Sequence, residues 1–154
     1  MRDPDVSRAK QRLDYVFDLA GKLPDEPEVL SHWARYLCVL VSGFLETSIR
    51  GIYGKYAQNK AAPNIARYVE VELDDFQNPN MPKILDLVGS FNPEWRIELE
   101  AASAGAPKEA VDSIVANRHN IAHGQTVGIS LVRIRDYYQR AMKVLELIEE
   151  QCSR

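Results

Sequence analysis

The chain has 154 residues, of which 45% are hydrophobic and 27% charged, and its formal net charge is −3. That length suits a single domain over residues 1–154, and that hydrophobic share builds a core rather than a disordered chain. The charge balance excludes a general polycation that coats nucleic acid, so any nucleic-acid site has to be a local patch.

Val6, Ala9, Leu13, Val16 and Ala20 step by 3, 4, 3 and 4, which predicts one helix face. Gly21 and Pro24 end that helix. The next begins near Pro27, a residue favoured in a helix's first turn. Leu30, Trp33, Leu37, Val41, Phe44 and Ile52 carry an apolar stripe almost to Tyr56. This predicts a helix of about 30 residues, or ~45 Å at 1.5 Å per residue. Gly43, Gly51 and Gly54 lie on or near it. Close packing against another helix explains them, and so does a frayed or kinked end at Gly51–Gly54. The middle, Asn59 to Pro107, is interrupted by Pro63, Pro79, Pro82, Pro93 and Pro107 and reads as short helices and loops. Its expected core contacts are Ile84, Leu85, Val88, Phe91, Trp95 and Leu99. Pro107 then opens a helix through Val111, Ile114 and Val115 into Arg118–His123, with Gly124 as a C-terminal cap. Ser130 suits the N-cap of a last helix, in which Leu131, Ile134, Tyr138, Ala141, Leu145 and Ile148 form the stripe. No long stretch alternates as a half-buried strand would. The expected fold is all-α, an up-down bundle of about four main helices plus short helices in the middle.

Cys38 and Cys152 fit neither a metal spacing nor a disulfide framework, and a reducing cytoplasm is the expected compartment. Arg2, Asp3, Asp5, Arg8 and Lys10 do not make a signal peptide. The longest apolar run, Tyr36 to Val41, is far too short to cross a membrane. Two segments carry no acid. From Thr47 to Val69 the charges are Arg50, Lys55, Lys60 and Arg67, with Tyr53, Tyr56 and Tyr68 among them. From Ser113 to Arg135 they are Arg118, Arg133 and Arg135, beside His119 and His123. Cations interleaved with aromatics grip phosphates and stack bases. The competing reading places the tyrosines in the core and the cations in solvent. No Cys/His cluster and no Gly-rich phosphate loop occurs, so no metal and no cofactor is expected.

The most informative stretch is Asn117-Arg118-His119-Asn120-Ile121-Ala122-His123-Gly124. Arg118 and His123 are five positions apart, about 140° around a helix at ~100° per residue. They share a broad side without stacking. An arginine holds a phosphate with a fixed fork of donors. A histidine moves protons near neutral pH. Together they are a minimal kit for cutting RNA without a metal, although the spacing alone is a weak signal.

This stretch, with Ser42-Gly43-Phe44-Leu45-Glu46 on the long helix, the broken middle and the closing helix, resembles the HEPN superfamily. The likeness is closest to the RiboL-PSP-type HEPN domains of prokaryotic defence and toxin systems, and it covers nearly the whole chain. The superfamily signature is an arginine, four to six residues, then a histidine, often with a polar residue after the arginine. Here Arg118 and His123 bracket four residues, and the polar one is His119. The resemblance implies an α-helical bundle that forms a homodimer. It further implies a metal-independent endoribonuclease of toxin or defence type, whose site forms where two copies of the motif meet. The implied products carry 2′,3′-cyclic phosphate and 5′-hydroxyl ends. An antitoxin or other defence-system protein is the implied partner. One toxin subgroup carries a tyrosine two residues after the motif histidine, as the target of its partner; this chain has Gln125 there. An acidic residue on the long helix facing the motif is a weaker feature, and Glu46 matches it.

On this reading Arg118 and His123 are catalytic. His119, Asn120, Glu46, Arg50 and Arg133 support them or contact RNA. Each has a plainer alternative: a helix-end ion pair for Arg118, a cap for His123 and Asn120, exposed surface for His119 and Glu46. The competing function is a catalytically silent HEPN module that binds RNA or a partner.

Overall fold

Six of the eight prolines stand at the first or second position of a helix. There the missing N–H is no loss and the fixed φ suits the first turn. The computed structural model describes residues 2–154. It contains α1 (Pro4–Ala20), α2 (Pro27–Lys60), α3 (Pro63–Leu73), α4 (Met81–Phe91), α5 (Pro93–Ser103), α6 (Ala106–Ala122) and α7 (Leu131–Cys152), and no strand among the described residues. The fold is all-α, with α1, α2, α6 and α7 as the long helices and α3 to α5 as short ones between them. Most of the interrupted middle is therefore helical. Asn92 closes α4 and opens α5 at once, its side chain accepting from the N–H groups of Glu94 (2.9 Å) and Trp95 (3.4 Å).

Helix α2 runs 34 residues, straight through its glycines to Lys60. A Cβ at Gly43 or Gly51 would meet nothing within 4 Å, and one at Gly54 only the tip of Leu73 at 3.9 Å. Neither close packing nor a helix end explains these glycines. The helix stops where Pro63 opens the next one.

The core is one cluster drawn from all seven helices. α7 packs along α6 and α2, α1 and α3 pack on α2, and α4 pairs with α5. Tyr138 of α7 stacks on Phe17 of α1 (centroids 4.9 Å apart, 3° between planes) and meets Phe44 of α2 edge-on at 6.3 Å. Its hydroxyl donates to Asp14 at 2.6 Å. Three helices are thus locked through one ring, and aromatic pairs of this kind add ~0.5–1.5 kcal/mol beyond their buried area. Arg135 also holds α1, donating to the Phe17 carbonyl at 3.2 Å and lying 5.5 Å from its ring.

The tyrosines of the first acid-free segment divide. Tyr53 is fully buried and stacks on Phe91 at 4.4 Å, while Tyr56 meets Trp95 edge-on at 5.6 Å. Both pack into the core, Tyr53 wholly and Tyr56 in part. Tyr68 alone is exposed. The segment is not a free basic patch either. Lys55 pairs with Asp3 (3.0 Å), Arg67 with Glu70 (3.2 Å) and Arg50 with Glu46 (3.2 Å). Glu46 and Glu70 flank the segment on the same helices as their partners, and folding brings in Asp3 from 52 positions away. Asp3 caps α1 through the N–H groups of Asp5 and Val6. The chain ahead of it is tied down by Glu149, buried on α7, which accepts the N–H groups of Arg2 (3.1 Å) and Asp3 (3.2 Å). Among the described residues no helix is long and apolar enough to cross a membrane.

Candidate functional site

Val111 and Ile114 point α6 into the core. Arg118 follows Val111 by seven residues, so it continues the same line two turns on. It sits half-buried where the core ends, and its Nη1 donates to the Asn78 side-chain oxygen at 3.2 Å. His119 and His123 project from another side, one turn apart. Their rings lie 4.3 Å apart, tilted by 54°. Arg118 and His123 thus leave a single helix end about 140° apart at ~100° per residue, the unstacked arrangement expected of five-residue spacing. Asn117 is turned back on its own helix and donates to the Ser113 carbonyl at 2.8 Å.

The helix stops by a defined device. Gly124 adopts φ +70°. Its N–H bonds the Ile121 carbonyl (3.1 Å), and the Gln125 N–H bonds the Asn120 carbonyl (2.9 Å). This is the Schellman arrangement, which satisfies the last carbonyls and suits glycine in the left-handed position. His123 is the capping residue itself, with its N–H on the His119 carbonyl at 3.1 Å. Val127 and Ile129 then bury themselves in the core and anchor the segment leading to α7.

The acceptor for Arg118 comes from the segment between α3 and α4. Asn78 has φ 51° there, a left-handed conformation that asparagine tolerates better than most residues. Its backbone N–H donates to Glu46 at 3.0 Å. Arg50 binds the other Glu46 oxygen and donates to the carbonyls of Phe76 (2.8 Å) and Asp74 (3.1 Å). Glu46 therefore reaches Arg118 only through Asn78, and Arg50 is occupied with the backbone of the segment. Sequence reasoning missed Asn78. Its signal was the run Asn78-Pro79-Asn80, a turn-forming pattern that specifies a bend but not what the bend holds.

The remaining candidates fall in two places. His119 and Asn120 line a groove of about 580 Å³ between α4 and α6, which Asn78 also borders. Arg133 stands apart on α7, exposed, 5.8 Å from the Tyr137 ring, with its backbone N–H capped by Ser130 at 3.1 Å. Among the described residues no group of three or more His, Cys, Asp or Glu is placed to hold a metal ion. Burial pushes the Cys38 thiol up to about 11. Burial, helped by Glu149, pushes Cys152 up to about 12. Neither is a nucleophile at neutral pH.

The family model described as RiboL-PSP-HEPN matches residues 5–154. The chain belongs to the RiboL-PSP-HEPN family. Curated proteins and solved structures give no match. Membership supports an RNA-related role for this HEPN domain. Its motif arginine has a particular electrostatic setting. Among the described residues Arg118 makes no ion pair, and Glu46, which holds the Asn78 backbone, is paired with Arg50. A neutral amide orients Arg118 and leaves its charge uncompensated. The two histidines add donors at the same helix end.

Proposed function

We propose that this HEPN domain is a metal-independent endoribonuclease whose active site is shared by two copies of the chain. The observation that supports it best is the unpaired, amide-held guanidinium of Arg118 at the helix end that also carries His119 and His123. A structural arginine at a core edge usually meets a carboxylate, since buried charge is costly unless paired. An arginine kept for a phosphate has reason not to. The divergence of Arg118 and His123 on one helix supports the shared site, because a second α6 facing the first supplies the missing half.

In the proposed reaction one His123 accepts the proton of a ribose 2′-hydroxyl. The 2′-oxygen forms a bond to the adjacent phosphorus, the P–O5′ bond breaks, and the 5′-oxygen takes a proton from the His123 of the partner subunit. The products are a 2′,3′-cyclic phosphate and a 5′-hydroxyl. General base catalysis contributes typically ~10²–10⁴-fold. Arg118 stabilises the charge growing on the phosphate oxygens, a task its planar fork suits better than a lysine's ammonium. The setting implied by the family is a toxin or defence system, with a partner protein restraining the nuclease, and the two free cysteines suit a reducing cytoplasm.

Subunit mixing tests the shared site. Arg118→Ala and His123→Ala are each expected to be inactive. Mixed with an equal amount of wild type and allowed to exchange, His123→Ala should cut cleavage to about one half, because random pairing leaves only half of the wild-type subunits in dimers that hold both His123 side chains. Undiminished cleavage after verified exchange, or a protein that stays monomeric at micromolar concentration, contradicts the shared site. Binding of RNA that survives both substitutions, with no new RNA ends from the wild type, favours the silent binding module.

A further inference from the structure

The groove between α4 and α6 has polar groups left over. Asp112 uses one carboxylate oxygen to accept the Met81 N–H (2.8 Å), and Asn80 uses its oxygen to accept the Lys83 N–H (3.0 Å). Asn78 uses its oxygen for Arg118. The second Asp112 oxygen, the NH₂ groups of Asn78 and Asn80, and the whole Asn120 amide have no protein partner among the described residues. All face one groove of about 580 Å³, within the size range of small-molecule sites. His119 closes it on the side of the motif.

This chemistry does not suit a phosphate. The opening N–H groups of α4 are already occupied by Asp112 and Asn80, so that helix end offers no anion site. The Asp112 charge repels an anion, and the one lysine at the groove, Lys83, donates to the Gln77 carbonyl at 3.2 Å. What fits is a neutral, planar group with donors and acceptors on its edge. RNA-binding sites read splayed bases in this way, with amide and carboxylate groups on the base edge and an aromatic ring against its face. A carboxylate accepts from an exocyclic amino group. Adenine, cytosine and guanine carry one, and uracil does not.

Building on the ribonuclease reading, we infer that the α4–α6 groove is a nucleobase subsite. It seats an unpaired base next to the cut phosphate, with Asp112 and Asn120 selecting bases that bear an exocyclic amino group over uracil. The substrate is then single-stranded RNA, and the enzyme has a base preference at one position flanking the cut.

The test is cleavage of a randomised single-stranded RNA pool, with the base frequencies around the cut read by sequencing the new ends. The wild type is expected to disfavour uridine about tenfold at one flanking position, the scale of one good base contact. Asp112→Asn keeps an oxygen for the Met81 N–H but turns an amide donor into the groove, which uracil O4 accepts; the bias against uridine should collapse. Asn120→Ala, which removes no protein hydrogen bond, should weaken it. Melting curves show that both variants fold. Cleavage with an even base distribution, or with a bias unchanged in both variants, overturns the subsite and leaves the nuclease standing. If the wild type cuts no RNA, the nuclease reading fails and binding decides the subsite. A preference for short oligo(A) and oligo(C) over oligo(U) that Asp112→Asn abolishes supports it, and equal affinities or no binding overturn it.

Discussion

Asn78→Gly isolates one hydrogen bond. Glycine adopts φ 51° without steric strain and keeps the backbone N–H for Glu46, so the one protein hydrogen bond lost is that from Arg118, together with an NH₂ group at the α4–α6 groove. A hydrogen bond to a charged group is worth about 1.5–3 kcal/mol, and the half-exposed position of Arg118 puts this one at or below the lower end. A loss of 1 kcal/mol lowers the melting temperature by roughly 2–4 °C in a domain of this size. The effect on cleavage should be larger in proportion. Removing an electrostatic donor costs ~10²–10³-fold. Asn78→Gly leaves the guanidinium present but unheld, so kcat/KM should fall by about ten- to a hundredfold, short of Arg118→Ala. The double variant Asn78→Gly/Arg118→Ala should be no slower than Arg118→Ala alone, since residues acting as a unit are not additive. Wild-type activity in Asn78→Gly refutes the role of Asn78 in positioning Arg118. So does a double variant whose loss is the product of the two single losses.

Three further outcomes are expected. Gly124→Ala should cost about 1–2 kcal/mol from backbone strain alone, because a Cβ there meets nothing within 4 Å at φ +70°; thermal melting measures it, and cleavage should fall as the His123 cap shifts. Native protein should resist thiol alkylation at neutral pH, both thiols reacting only on unfolding, as followed by mass spectrometry. At Asp3 burial opposes the charge, but the Lys55 hydrogen bond and the cap N–H groups outweigh it and hold the carboxyl below its ordinary 3.8. A depressed folded value stabilises above the unfolded value and is lost as pH falls through the folded one, so the melting-temperature gap between wild type and Asp3→Asn should be full near about pH 6 and close below about pH 4.

Local rules made much of the fold legible. Val6, Leu13 and Ala20, and likewise Ile134, Tyr138 and Leu145, announced their helices by spacing alone, and both faces are buried. Ser130 caps α7 and Gly124 ends α6, as their residue types suggested. The parts that stayed hidden depend on distant partners. Lys55 looked like a free cation because Asp3 lies 52 positions away, and only folding pairs them. For Tyr53 the base-stacking and core readings both stood, because the partner that decides for the core, Phe91, lies in another helix. Val127 and Ile129 are too few to show periodicity, yet they are core. At the site, the end-to-end spacing of Arg118 and His123 was visible, whereas the acceptor for Arg118 was not. Asn78 acts through a turn whose position is set by Glu46 and Arg50 on another helix.

RNA and a DNA strand of the same sequence, each incubated in excess chelator with the wild type and with His123→Ala, bring the proposed chemistry to a decision once the product ends are identified by mass spectrometry. Attack by a 2′-hydroxyl assisted by His123 requires 2′,3′-cyclic phosphate and 5′-hydroxyl ends from RNA with the wild type, at least a hundredfold less, roughly, with His123→Ala, and intact DNA throughout. Equal cleavage by the two proteins, or DNA cut at a rate near that of RNA, contradicts it.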